Sequence, residues 1–301
     1  MIRSAYLAAP GFTRPLSEEA ARRGIAISAW HDRLALSPDP PARLAWAQDT
    51  WLDPREMPLA EAPARLAAMP TRWAAFAPLH AKAAGRLARR LPSARESRQQ
   101  FPAPLPPPSG AFCLLGPDRV LASARRASRF IEGRVRFVES PAPPSRAYLK
   151  LYEALSLLGA HPGPGELCYD LGAAPGGWSW VCASLSARVV AFDRAPLAPS
   201  VGAMLGVRWR AESAFGVAPA REPRVDWLLS DVIAYPPRTL MLVRNWLEAG
   251  RAQRIVATVK FQGPTDHESA EAFAKIPGGR LVHLSHNRHE LTFLWPYPHG
   301  G

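Results

Sequence analysis

The sequence predicts an α/β fold in its second half, a doubly wound, mostly parallel sheet closed by an antiparallel C-terminal hairpin, with a smaller α+β domain ahead of it. Three observations carry this reading. After residue 145, helix-like and strand-like segments alternate regularly. The interior strand candidates ELCYDLG, ARVVAFD, VDWLLSD and RIVATVK are short continuous apolar runs, the pattern of strands covered on both faces. The last two candidates, RLVHLS and ELTFLWP, are separated only by a turn, which suits an antiparallel hairpin.

In chain order, SEEAARRG (17–24) reads as a helix with a serine N-cap and a glycine stop. Short alternating runs near 25–30 and 43–48 suit strands, and LAEAPARLAAM (59–69) and LHAKAAGRLARRL (79–91) suit helices. LPSARESRQQFPAPLPPPSG (91–110) is polar and then proline-rich, a loop or linker, and PAPPS (141–145) repeats the break. Between them AFCLL (111–115) and RVLASA (119–124), joined through GPD, predict a hairpin, and RVRFV (134–138) a further short strand. The expected division is a basic region 1–140 and a second domain 141–301. Helices AYLKLYEALSLLG, GGWSWVCASL, TLMLVRNWLEAG and DHESAEAFAKI then alternate with the strands named above and with VRWRAES.

Composition narrows the function classes. The 301 residues carry 37 Lys+Arg against 25 Asp+Glu, a net charge of +12. Residues 1–140 hold 21 of the basic and 12 of the acidic residues, so most of the excess lies in the first half. Such a surface suits a polyanionic partner, whose counterions arginine would release. MIRSAYLAAPGF lacks the apolar length of an export signal, and no stretch approaches ~18 unbroken apolar residues, so a cytoplasmic protein without a membrane partner is expected. Cys113, Cys168 and Cys182 form no CxxC and have no histidine at ligand spacing; buried thiols are expected, and no metal. The histidines around SHNRHE read as loop residues, with His283 a possible RNA contact.

In an open α/β sheet, ligands bind beyond the carboxyl ends of the strands. The first strand there ends in YDLGAAPGGWSW, where Gly172, Gly176 and Gly177 allow a sharp turn and close backbone approach before a helix. The loop is neither a Walker A loop, since no Lys-Ser/Thr follows, nor a dinucleotide fingerprint, since alanine and proline interrupt the glycines. The second strand ends at Asp193, placed to accept hydrogen bonds from ribose hydroxyls. Together they suit a nucleoside cofactor without a pyrophosphate. Lysine is rare, at Lys82, Lys150, Lys260 and Lys275 only, so Lys260 at the end of an apolar strand in TVKFQG stands out against 33 arginines.

DLGAAPGGW closely resembles the cofactor loop of S-adenosylmethionine-dependent methyltransferases, and its Pro-Gly-Gly-Trp form is similar to the FtsJ/RrmJ group of RNA ribose 2′-O-methyltransferases, which have a Rossmann-like fold. That group has a Lys-Asp-Lys-Glu tetrad, and matching residues stand here as Lys150 in SRAYLKLYEAL, Asp231 in VDWLLSD, Lys260 in TVKFQG and Glu290 in NRHELTFLW. The resemblance covers residues 144–295. It implies S-adenosylmethionine as cofactor, held by Asp170, Gly172, Ala174, Pro175, Gly176, Gly177, Trp178, Asp193 and Asp231, with Ser213 or its neighbour Glu212 near the adenine. AAPGFTRPLSEEAARRG and PPSRAYLKL are similar to the RlmM type, which modifies a cytidine ribose in large-subunit ribosomal RNA and carries an N-terminal THUMP-like RNA-binding region, here shorter and richer in proline.

The chemistry explains why lysine rather than arginine would be selected. A ribose hydroxyl must lose its proton as it attacks the sulfonium methyl, and arginine cannot accept a proton near neutral pH whereas lysine can. The resemblance thus assigns Lys260 as base or oxyanion-orienting group, Lys150 as its modulator and a substrate contact, and the two carboxylates as orienters. Two other classes remain open on sequence: a methyltransferase acting on another RNA such as tRNA, or on a base, protein or small molecule, and a non-catalytic RNA-binding protein that retained the fold.

Overall fold

The computed structural model describes residues 1–298. The chain forms two compact units, one of Met1–Gln99 with Leu105–Arg136, the other of Gln100–Pro104 with Phe137–Gly301.

The first unit holds two sheets. Its elements are β1 (Ser4–Ala8), α1 (Thr13–Arg22), β2 (Ala29–His31), β3 (Leu34–Ser37), β4 (Ala47–Leu52), β5 (Arg55–Pro58), α2 (Ala62–Ala67), β6 (Trp73–Ala75), α3 (Ala81–Ala88), β7 (Gly110–Leu114), β8 (Arg119–Ser123) and β9 (Arg125–Arg126). The order β2-β3-β1-β4-β9 is antiparallel throughout, and β5-β8-β7-β6 is mixed because β6 runs parallel to β7. Met57, Leu66, Trp73, Leu87, Phe112 and Val120 form one buried cluster, which α2 and α3 cover with Leu66 and Leu87. The β7–β8 hairpin matches the expectation from AFCLL and RVLASA.

Three details differ from the sequence reading. Helix α1 starts four residues before Ser17, with Phe12 at the N-cap and no side-chain cap, because the apolar face that buries Leu16 and Ala20 sets its register. The strand expected at 134–138 is reduced to an isolated bridge at Phe137 after a short 3₁₀ turn at Ile131–Gly133, with the Gln99 N–H donating to Arg136 O at 2.7 Å but no continuous ladder. The strands expected near 25–30 and 43–48 lie at Ala29–His31 and Ala47–Leu52.

The second unit contains α4 (Tyr148–Leu158), β10 (Leu167–Leu171), α5 (Gly177–Ser184), β11 (Arg188–Phe192), α6 (Pro199–Gly202), β12 (Val207–Arg210), β13 (Val225–Ser230), α7 (Pro236–Glu248), β14 (Ala252–Lys260), α8 (His267–Ala274), β15 (Arg280–Val282) and β16 (Glu290–Trp295). The seven strands run β12-β11-β10-β13-β14-β16-β15. The first five are parallel, and β16 enters antiparallel to both β14 and β15. This is the Rossmann-like, doubly wound sheet with its C-terminal hairpin.

The apolar runs explain the central strands: β10 buries Cys168, Tyr169, Asp170 and Leu171, and β14 buries Ile255 through Val259. Strand β12 at the edge is half exposed. Helix α4 ends where Gly159 turns left-handed at φ 64°, and α8 starts where Asp266 accepts the Ser269 N–H at 2.9 Å. Within the proline-rich segment, Phe101 stacks on Tyr152 of α4 at 4.0 Å between ring centroids, which accounts for residues 100–104 belonging to this unit. Cys113, Cys168 and Cys182 are buried free thiols.

Candidate active site

The reversal of strand order lies between β10 and β13, and the loop after β10 opens there. Gly172 has φ +80°, and a Cβ on it would lie 2.8 Å from the Cβ of Val232. Gly176, at φ +111°, would place a Cβ 2.9 Å from Val201 Cγ1. Both backbone conformation and packing therefore demand glycine at these two points. The result is a cavity of about 310 Å³, at the small end of ligand pockets, bounded by the loop 172–178, Ser145 and Ala147 just before α4, and the segment after β13.

Three carboxylates face this cavity. Asp170, at the end of β10, is 1% exposed and accepts the Ser179 hydroxyl at 2.7 Å. Burial pushes its carboxyl up to about 7, and the Ser179 bond opposes that rise. Asp193 follows β11; its two oxygens accept the Ala174 N–H at 3.0 Å and the Ala195 N–H at 2.9 Å, tying the glycine loop to the neighbouring strand end. Each oxygen retains a second lone pair for a ligand hydroxyl. Asp231 follows β13. Trp178 anchors α5 by donating its indole N–H to Ala147 O at 2.9 Å.

Lys150, Asp231, Lys260 and Glu290 come together beside the cavity. Lys150 Nζ, on α4, lies 2.8 and 2.9 Å from the two Asp231 carboxylate oxygens and 3.2 Å from Glu290 Oε1. Lys260 Nζ donates to the Asp231 backbone carbonyl at 2.7 Å and lies 3.0 Å from Asp231 Oδ1. Register places Lys260 opposite Glu290, because β14 and β16 pair antiparallel at their ends. The four roles differ in access: Asp231 and Lys260 line the cavity, whereas Lys150 and Glu290 are not among its lining residues. An ammonium has three donors. Lys260 donates one of them to the Asp231 carbonyl and is ion-paired with its Oδ1, which leaves donor capacity for the cavity, while the contacts of Lys150 are all carboxylate oxygens.

Of the expected cofactor residues, Asp170, Gly172, Ala174, Pro175, Gly177, Trp178, Asp193 and Asp231 line the cavity. Gly176 sits behind the wall as the N-cap of α5. Ser213 does not line it; its hydroxyl instead accepts the Phe215 N–H at 3.4 Å, and Glu212 is held by Arg210 at 2.9 and 3.0 Å. The sequence reading also missed Ser145, Val232 and Ile233, which do line it. The apolar pair immediately after a strand-end aspartate, ahead of Pro236, was the available signal. His283 is 4% exposed, bonded through Nε2 to Arg288 O at 3.0 Å, and burial lowers it to about 4, so it faces the interior rather than a substrate.

Among the described residues no helix is long and apolar enough to cross a membrane, and no group of three metal-ligating side chains occurs. Residues 143–255 match the protein family described as FtsJ-like methyltransferase. A "Ribosomal RNA large subunit methyltransferase M" of Alkalilimnicola ehrlichii is 39% identical over 173 residues, covering 53% of this chain and 48% of that protein. The protein of the same name from Halorhodospira halophila is 37% identical over 157 residues, covering 50% and 46%. The chain thus spans about half the length of the curated relatives it matches. A crystal structure of an rRNA methylase from Streptococcus thermophilus overlaps 48% of this chain and 93% of its own at 12% identity, with a TM-score of 0.37.

Proposed function

We propose that this chain, which carries an FtsJ-like methyltransferase domain, transfers a methyl group from S-adenosylmethionine to a ribose 2′-hydroxyl of large-subunit ribosomal RNA. The observation that carries the reading is the meeting of Lys150, Asp231, Lys260 and Glu290 within 3.2 Å contacts beside a glycine-walled cavity. S-adenosylmethionine supplies, when bound, a methyl group on a positively charged sulfur. The donor set fits such a group: Asp170, Asp193 and Asp231 present carboxylates to the cavity, Trp178 gives it an apolar wall, and Gly172 lets the backbone pass close.

Each tetrad residue then has a task set by its contacts. Lys260 directs its remaining donor position to the cavity, where it orients the 2′-hydroxyl and, as the free amine, takes its proton during attack. Asp231 fixes that amine through both its carbonyl and its carboxylate. Lys150, itself held by Glu290, grips Asp231 from behind, an orienting role for Lys150 in place of direct substrate contact. Arrangement before the reaction matters because positioning alone supplies several kcal/mol in transfers of this type.

The test incubates the protein with methyl-labelled S-adenosylmethionine and ribosomal RNA from a host lacking the gene, then digests the RNA to nucleosides. Label on a ribose is expected. Label on a base alone refutes the ribose assignment, and label on transfer RNA but not ribosomal RNA refutes the substrate.

A further inference from the structure

The first unit carries its own cavity, of about 90 Å³, built from residues with no part in the methyl-transfer site. Five arginines stand around it, Arg72, Arg95, Arg129, Arg134 and Arg136, against one carboxylate, Glu96. Three of the arginines have polar partners, two of those partners in the cavity wall. Arg129 donates its Nε to Pro106 O at 2.9 Å, Arg72 donates Nη1 to Ser93 O at 3.3 Å, and Arg136 Nε lies 3.1 Å from Glu96. Arg95 and Arg134 form no ion pair among the described residues. The proline run thus has a structural use: Pro106, Pro107 and Pro108 make a stiff wall, and the first of them supplies the carbonyl that orients Arg129.

All five side chains are exposed, so solvent screens their mutual repulsion, but a single carboxylate still leaves the concavity with a clear excess of positive charge toward an anion. A guanidinium held through Nε still presents its two terminal nitrogens as a fork, the geometry that matches phosphate oxygens. Size restricts the ligand further. At about 90 Å³ the concavity is less than a third of the 310 Å³ cavity of the second unit, a space suited to a phosphate group rather than to a whole nucleoside.

We infer that this arginine-walled pocket of the N-terminal unit binds a backbone phosphate of the RNA substrate. The identity of the polyanion rests on the proposed function; the pocket's charge and dimensions do not. Binding here anchors the RNA strand through a sequence-independent contact, so its loss weakens RNA affinity without changing the methyl-transfer site.

The experiment uses the full chain and in vitro transcribed large-subunit ribosomal RNA, with dissociation constants measured from ~50 to ~200 mM salt. Arg129→Gln/Arg134→Gln removes two pocket charges. Arg55→Gln/Arg89→Gln removes two exposed charges outside the pocket in the same unit. The pocket variant is expected to bind roughly tenfold more weakly and to lower the salt slope by about 1, the control variant to change affinity less than about twofold. S-adenosylmethionine affinity and the thermal midpoint, unchanged in both, show that the fold is intact.

Equal weakening in the two variants reduces the effect to net charge and overturns the inference. So does an unchanged RNA affinity in the pocket variant accompanied by lost binding of inorganic phosphate, which would assign the pocket to a free anion. RNA binding is read without methyl transfer. Wild-type binding that depends on the pocket but yields no ribose label would therefore sustain this inference and refute the methylation reading.

Discussion

Replacing Lys260 by arginine isolates the difference between charge and proton transfer. Lys260 Nζ donates to the Asp231 carbonyl at 2.7 Å and is ion-paired with Asp231 Oδ1 at 3.0 Å, and its neighbour in the sheet register is Glu290. A guanidinium reaches the same two oxygens and keeps the charge, and the 310 Å³ cavity admits its larger head, so folding and cofactor affinity should survive. What arginine cannot do is accept the hydroxyl proton. General-base catalysis contributes about 10²–10⁴-fold, or ~3–5 kcal/mol of barrier, which is the expected fall in kcat for Lys260→Arg. The assay is single-turnover transfer of labelled methyl to ribosomal RNA, with S-adenosylmethionine binding followed by calorimetry. Lys260→Met, which removes charge and proton acceptor together, should be at least as inactive. Activity of Lys260→Arg within about tenfold of wild type, with Lys260→Met inactive, would refute proton transfer by Lys260 and leave it an electrostatic role.

Three further outcomes follow from the same contacts. Lys150→Met strips the half-buried Asp231 and the buried Glu290 of a shared cation, and urea unfolding should show a loss of ~3 kcal/mol, limited because Asp231 keeps Lys260; a loss below ~1 kcal/mol would contradict the packing described. Gly172→Ala forces a side chain to φ +80° and against Val232, so it should lower stability by ~1–3 kcal/mol and weaken S-adenosylmethionine binding; normal affinity in a folded variant would show that the loop tolerates a Cβ. Glu153 is raised from 4.5 to about 8 by burial, against the opposing bonds from Ser285. Across that window the unfolded chain releases the proton that the folded chain keeps, so wild-type stability falls as pH rises and levels off above about 8. Glu153→Gln removes this slope while its carbonyl still accepts the Ser285 N–H, and thermal midpoints of the two proteins should diverge in its favour from pH ~5 to ~8. Parallel curves would show that Glu153 does not titrate there. Asp170, raised to about 7, contributes a residual slope of the same sign in both proteins.

The sequence by itself determined the order and type of the elements in the second unit apart from the short α6, the glycine-dependent loop after β10, and the choice of lysine at positions 150 and 260. These are local properties. Apolar periodicity, caps and residue chemistry are written within a few residues of one another, and the runs in β10, β13 and β14 are apolar enough to be read singly. Where the local signal was weak or divided, the reading drifted: α1 begins before the serine that looked like its cap, and 134–138 forms an isolated bridge rather than a strand.

Only the tertiary structure decided which side chains meet. Lys150 lies 81 residues from Asp231 and 140 from Glu290, and they touch because β13, β14 and β16 are adjacent in the sheet with α4 over one end. That adjacency also moved Lys150 behind Asp231, left Ser213 outside the cavity and brought Val232 and Ile233 to its edge. The gathering of five arginines around one pocket has the same origin, since Arg72 and Arg136 are separated by about half of the first unit's chain. A contact between distant residues depends on strand order and register, set by how all the apolar faces bury together, and no short stretch of sequence contains that information.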